Sequence, residues 1–232
     1  MIVDLHVHES SHSPDSLMTL EEIVAEARAK GLDGLCITDH DSMGLKDRAE
    51  WYARETGFPI FVGVEYYSLW GDITAWGLDD FPRERIAAQD FIDQVKSQGG
   101  YCVACHPFRN NNRGLGEHLR EVRGLDGVEV LNGSTSPEAN QEAWNYCREL
   151  SLAPIGASDA HWLSQLGVYA TWLPEYVDNL TDFVRVLRQG GCRPVIRGAD
   201  GYQFADQAPL KSLPPVGGLT WPSLPPIGTW SE

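Results

Sequence analysis

The stretch "DLHVHESSHSPDS" at residues 4–16 holds three of the chain's seven histidines and three carboxylates. Imidazole nitrogens with carboxylate oxygens form the donor set that divalent cations of intermediate hardness take. The same residue types recur where later apolar runs end. Asp39 and His40 close "CITDH", Glu65 sits late in "FVGVE", His106 closes "CVACH", and Asp159 and His161 close "GASDAH". His6 and His8, two apart in a strand, point to the same side. Nitrogen and oxygen donors without thiolate suit zinc, manganese or iron. The donors outnumber the needs of one four-coordinate ion, so two or three ions with a bridging carboxylate are expected.

Such donors meet only if the fold brings the strand ends together. Short apolar strands alternate with helical patterns over most of the chain. "IVDLHVH", "GLCITD", "PIFVGVEYYS", "GDITAWGL", "YCVACHP", "GVEVLN", "APIGASDAH", "GVYATWL" and "RPVIRG" read as strands. "TLEEIVAEARAKG" places Leu20, Ile23, Val24 and Ala27 on one helical face, and "RERIAAQDFIDQVKSQGG" does the same with Ala88, Phe91, Ile92 and Val95. This alternation predicts an α/β fold with a largely parallel sheet. A closed barrel gathers its strand C-termini on one rim, where active sites form; an open doubly wound sheet is the alternative. The barrel is expected over residues 1–199. Residues 200–232 are rich in Pro and Gly yet include Trp221 and Trp230. They form a tail expected to pack on the barrel or on a neighbouring subunit, which leaves a homo-oligomer open.

A net charge of −15 argues against extended contact with nucleic acid. It is compatible with a small anionic substrate, because bound cations reverse the local sign. No apolar run is long enough to cross a bilayer and no signal-peptide pattern opens the chain, so no membrane partner and a cytoplasmic location are expected. The five cysteines are odd in number and sit mostly in apolar runs, as reduced core thiols do. Cys102 and Cys105 form a C-x-x-C, but inside a strand, where alternation sends them to opposite faces.

Taken in order, the H-x-H of "DLHVH", then "ITDHD", "GVE", "CHP" and "SDAH", resemble the motifs of the PHP (polymerase and histidinol phosphatase) family from Ile2 to about His161. The resemblance implies a distorted (β/α)7-type TIM barrel with a two- or three-metal site at the C-terminal strand ends, and hydrolysis of phosphoesters. It also implies ligand roles for His6, His8, Asp15 (in "SPDS"), His40, Glu65 as the bridging carboxylate, His106, Asp159 and His161. His12 is read as a solvent-exposed turn residue. Relatives usually supply a further histidine between the "GVE" and "CHP" segments. Here the stretch is "WGDITAWG", which offers Asp72 as a replacement ligand.

The expected reaction is metal-assisted hydrolysis of a small phosphate ester by a metal-bridging hydroxide. Glu65, Asp159, His161 and Arg109 are the candidate catalytic residues, with proton handling by His161 or Asp159 ranked below their ligand duty. Guanidinium matches phosphate oxygens two at a time. Arg109 and Arg113 on the loop after "CHP", Arg197 at the last strand end, and Asn132 at the end of "VEVLN" are therefore the candidate substrate-binding residues. A metal-binding module without turnover and a hydrolase of a non-phosphate bond are the competing readings.

Overall fold

In the computed structural model, which describes residues 1–205, the chain enters the core at once. Strand β1 (Ile2–Val7) has five of its six residues buried. Helix α1 (Leu20–Ala29) starts at a reciprocal cap between Thr19 and Glu22 and buries Leu20, Ile23, Val24 and Ala27. Then follow β2 (Gly34–Ile37), α2 (Lys46–Thr56), β3 (Ile60–Val62), β4 (Val64–Tyr67), β5 (Asp72–Trp76), α3 (Ala88–Ser97), β6 (Tyr101–Ala104), a 3-10 turn at Gly116–Arg120 and β7 (Gly127–Asn132). Helix α4 (Pro137–Leu150), β8 (Ala153–Ala157), β9 (Tyr169–Trp172), α5 (Leu180–Gln189), β10 (Arg193–Gly198) and β11 (Gly201–Phe204) complete the described chain.

The strands form two sheets, ordered β11-β10-β9-β1-β2-β3 and β4-β5-β6-β7-β8. This departs from a closed, all-parallel barrel. The four residues between β4 and β5 allow only a hairpin, so β4, β5 and β6 run antiparallel, as do β1, β9, β10 and β11. Parallel pairing is confined to β1-β2-β3 and β6-β7-β8.

The sheets meet along two seams. At one, Gly63 separates β3 from β4 so that a single extended stretch serves both sheets. A Cβ there would lie 2.4 Å from the Ala75 carbonyl oxygen, so no larger residue fits without a shift. Gly63 N donates to the Ile37 carbonyl at 2.9 Å, and His40 bridges to Glu65 in parallel register. At the other seam Val7 bridges to Ala160. There the Thr171 hydroxyl accepts from Gly156 N at 3.0 Å and donates to Gly156 O at 2.8 Å, standing in for a ladder.

Helices α1 and α2 cover the first sheet, while α3 and α4 cover the second. Helix α5 buries Phe183, Val184, Val186 and Leu187 against an inner cluster that includes Val3, Leu5, Phe61 and Trp76, with Phe183 stacked on Phe61 at 4.3 Å. Each such side chain contributes about 1.5–3 kcal/mol by leaving water. Strand β11 carries the first sheet beyond residue 199, where the barrel was expected to end. Trp221 and Trp230 lie outside the described residues. No helix among the described residues is long and apolar enough to cross a membrane.

Candidate metal centre

Six segments deliver donors to one end of the two sheets. From the first sheet come His6 and His8 at the end of β1 and His40 after β2. From the second come Glu65 in β4, Asp72 at the start of β5, His106 after β6, and Asp159 and His161 after β8. Asp15 joins them from the turn after β1. All except Asp15 and His40 are essentially buried. A register shift in β1 between Asp4 and Val7 lies at this end, where bulges re-aim side chains.

Glu65 is the hub. Its Oε2 lies 3.3 Å from both His6 Nε2 and His8 Nε2 and 2.7 Å from His40 Nδ1, and its Oε1 lies 2.8 Å from His106 Nε2. Asp159 Oδ1 stands 3.5 Å from His6 Nε2 and 3.2 Å from His8 Nε2. Asp15 Oδ2 reaches His40 Nε2 at 3.1 Å and His161 Nε2 at 3.4 Å. Asp72 is farther out: its Oδ2 is 3.8 Å from His106 Nε2 and accepts Arg113 Nε at 2.6 Å.

The hydrogen-bond network fixes which ring nitrogens face the cluster. His6 Nδ1 lies 2.7 Å from Glu129 Oε1, a carboxylate that can only accept, so Nδ1 is the donor. The Ser13 hydroxyl gives its one proton to Asp39 at 2.9 Å and must therefore accept from His8 Nδ1 at 3.1 Å. His161 Nδ1 faces the Asp159 carbonyl at 3.1 Å, again an acceptor. All three rings thus turn Nε2 inward as an available lone pair, the arrangement that outer carboxylates and carbonyls impose on ligating histidines.

The electrostatics are those of a site built around cations. Burial alone would strip the proton from His6, but Glu129, Asp159 and Glu65 together hold its pKa well above the ordinary value. Burial, then His161 and His40, pushes His8 well below it. Burial works against ionisation of Glu65, yet His40, His6 and His106 keep it well below the usual carboxylate range. Asp159 is likewise low against its burial, chiefly through Arg109 and His6. Burial and Glu65 push Asp72 up despite Arg113.

The donors fit divalent metal. Among His6 Nε2, His8 Nε2, Glu65 Oε2 and Asp159 Oδ1, the four nitrogen–oxygen separations given above run from 3.2 to 3.5 Å. Bonds of about 2.1 Å to a tetrahedral ion place its ligands about 3.4 Å apart. His6 Nε2, His40 Nδ1, Glu65 Oε2 and Asp72 Oδ1 are also buried without hydrogen-bond partners, an expense that coordination offsets. His8, His40 and His161 form a second group with mutually close donors, and Glu65, Cys105 and His106 a third.

Of the expected substrate-binding residues, Arg109 and Asn132 reach the centre. Arg109 pairs with Asp159 through Nη2, which also donates to Asn132 Oδ1 at 2.8 Å, while Nε donates to the Thr135 hydroxyl at 3.2 Å. Arg113 pairs with Asp72 and lies over the Tyr67 ring, 4.2 Å from its centroid. Strand β10 runs parallel to β1, but the Arg197 side chain at its end is exposed, and no described contact joins it to the cluster. His12 stays apart, its Nδ1 4.0 Å from Glu9 Oε2. Trp76 is core, and Trp70 stacks on His118 at 4.5 Å. A groove of 1240 Å³ lined by residues such as Phe58, Leu78, Tyr176 and Val184 contains none of these donors.

Two residues escape the strand-end pattern. Glu129 lies inside β7, where a carboxylate among apolar neighbours is the available signal; it holds His6, and its Oε2 accepts His106 N at 2.9 Å and Asn132 Nδ2 at 2.8 Å. Cys105 is the other, discounted with Cys102 as a core thiol. Backbone strain concentrates here too. His106 and Asp159 adopt φ of 33° and 52°, a region unfavourable to side-chain-bearing residues and common at functional sites.

A two-sheet α/β fold whose strand ends converge on a histidine–carboxylate cluster defines a metal-centred class of protein. Residues 4–158 match the PHP domain family, and residues 137–192 match its PHP-associated C-terminal family. The chain belongs to the PHP domain family. It is 28% identical over 141 residues to an uncharacterized protein of Methanocaldococcus jannaschii, covering 57% of this chain and 82% of that one. A 69-residue stretch is 36% identical to the 3',5'-nucleoside bisphosphate phosphatase of Chromobacterium violaceum, covering 30% of this chain and 24% of that enzyme. Among solved structures, a two-domain protein from Bacteroides vulgatus containing a predicted PHP-like metal-dependent phosphoesterase superposes with a TM-score of 0.67 at 22% identity, over 84% of this chain and 64% of that one.

Proposed function

We propose that this protein is a metal-dependent phosphoesterase that hydrolyses a small phosphate ester at two or three divalent ions, zinc, iron or manganese. The observation that supports this most is the position of Glu65, one carboxylate within 3.3 Å of nitrogens from four histidines on separate edges of the cluster. Such a carboxylate suits a bridge between ions. His6, His8, Glu65 and Asp159 would hold one ion, and Asp15, His40 and His161 another; His106 and Asp72 extend the set on the far side of Glu65. When bound, divalent ions supply positive charge to phosphoryl oxygens and acidify a water at neutral pH.

The chain's own residues do the rest. Arg109 is partly buried and anchored by Asp159, Asn132 and Thr135, so its guanidinium is set before substrate arrives, and its Nη1 has no partner among the described residues. It is the group to orient a phosphate oxygen beside the cluster. Asp159 stays ionised beneath it. His161, with Nδ1 on the Asp159 carbonyl and Nε2 turned to the cluster, serves as a ligand and has no nitrogen left to carry a proton to or from solvent.

The test is a panel of phosphomonoesters, phosphodiesters, a carboxyl ester and an amide, assayed with protein of known metal content. Phosphoester turnover lost on chelation and restored by zinc, manganese or iron is expected. Turnover indifferent to chelator, or confined to the carboxyl ester or amide, overturns the reading, as does metal binding without any turnover.

A further inference from the structure

Cys105 differs from the other four cysteines in its surroundings. Cys102 and Cys147 belong to one apolar cluster and Cys36 and Cys192 to another, whereas Cys105 is fully buried yet belongs to none. Alternation through β6 and into the residue that follows it explains the split. Cys102 Sγ turns outward, 3.9 Å from the Gly124 carbonyl, and Cys105 Sγ turns inward, 3.6 Å from Glu65 Oε1. That same oxygen is 2.8 Å from His106 Nε2. Donor atoms of Glu65, Cys105 and His106 all lie within 4.8 Å of one another. Asp72 stands beside them with Oδ1 buried and unpartnered.

We propose that Cys105 Sγ, Glu65 Oε1 and His106 Nε2, with Asp72 as the fourth donor, form a sulfur-containing cation position separate from the one between His6, His8 and Asp159, and that it takes zinc or ferrous iron in preference to manganese or magnesium. Thiolate is a soft donor and biases a site toward zinc and iron, whereas an all-oxygen and nitrogen set is more permissive. As the sulfur–metal bond forms, the thiol proton leaves to solvent, so no other reactant is needed. The inference rests on the metal reading of the centre and adds a ligand that the strand-end pattern of histidines and carboxylates omits.

The experiment is cobalt(II) substitution of the full-length protein followed by absorption spectroscopy. Expected are visible ligand-field bands and a near-ultraviolet sulfur-to-cobalt charge-transfer band. The charge-transfer band should vanish in Cys105→Ser and persist in Cys36→Ser, Cys102→Ser, Cys147→Ser and Cys192→Ser, which assigns the sulfur even if Cys105→Ser fails to fold. In zinc–manganese competition, folded Cys105→Ser should lose at least about tenfold of the zinc preference. Ligand-field bands without charge transfer, or charge transfer that survives Cys105→Ser, overturn the sulfur ligand while leaving the metal centre standing. Failure to take up cobalt, zinc or manganese overturns both.

Discussion

Glu129 Oε1 accepts the His6 Nδ1 proton at 2.7 Å, while its Oε2 accepts from the backbone of His106. One buried carboxylate thus orients an imidazole from the first sheet and pins the loop that presents another from the second. Replacing it with Gln keeps the size but removes the charge. Glu129→Gln should bind metal about 10- to 100-fold more weakly, with far-ultraviolet circular dichroism unchanged. Unaltered affinity by equilibrium dialysis would show that His6 needs no such support.

Glu65 faces more imidazole nitrogens than any other carboxylate of the cluster, so its loss should affect more than one ion. Elemental analysis of Glu65→Ala is expected to find fewer ions than Asp15→Ala, because among the described residues Asp15 pairs with two histidines, His40 and His161, and Glu65 with four. Equal metal loss in the two variants would remove the bridging assignment.

Arg109 meets Asp159 and Asn132 inside the centre, whereas Arg113 is spent on Asp72. A charged hydrogen bond contributes about 1.5–3 kcal/mol. Arg109→Ala should therefore raise KM for a phosphoester about 10- to 100-fold. Arg109→Lys should restore little, since an ammonium cannot reproduce the forked geometry. A KM that does not move would place Arg109 outside substrate binding.

The metal-type centre was legible in the sequence because its donors sit at the ends of apolar runs, and strand alternation requires His6 and His8 to share a side. The helices were equally readable: Leu20, Ile23, Val24 and Ala27 face inward as their spacing demands. The split into two sheets was not. It depends on hairpin reversals and on the hand-over from one sheet to the other at Gly63, and strand-like runs look the same in either direction. Arg197 shows a related limit: strand direction brings it to the correct rim, but sequence does not say where a long side chain rests. Glu129 and Cys105 were passed over because neither closes its run with an imidazole.

Asp4 gives a pH signature. It is fully buried, accepting from Ser158 N and Gly167 N at 2.9 Å each, and burial raises its pKa from 3.8 to about 6 despite those bonds. Between these values the native state binds more protons than the unfolded chain, so this residue's contribution to stability falls as pH rises through the window. Roughly two pH units at about 1.36 kcal/mol each amount to about 3 kcal/mol. Urea unfolding of wild type and Asp4→Asn should diverge in this sense from about pH 4 to about pH 6. Parallel stability curves would contradict it.

Withdrawing metal should lower the melting temperature. Glu65, Asp72, Glu129 and Asp159 crowd one buried region, and bound ions stabilise the folded state by mass action, about 2.7 kcal/mol at a hundredfold excess over Kd. Calorimetry with chelator and then with restored zinc is the check. A melting temperature that chelator leaves unmoved would mean the cluster is stable by itself.

The candidate ligands come from both sides of Gly63: His6, His8 and His40 from one sheet, Glu65, His106, Asp159 and His161 from the other. Where a continuous barrel would close its wall with full backbone ladders, this fold has two short joints, each held by a few backbone hydrogen bonds, that bound ions would rivet. Loading the centre and fastening the two halves together then become a single event, and a chain starved of cations should loosen first at Gly63 and Ala160, ahead of its helices.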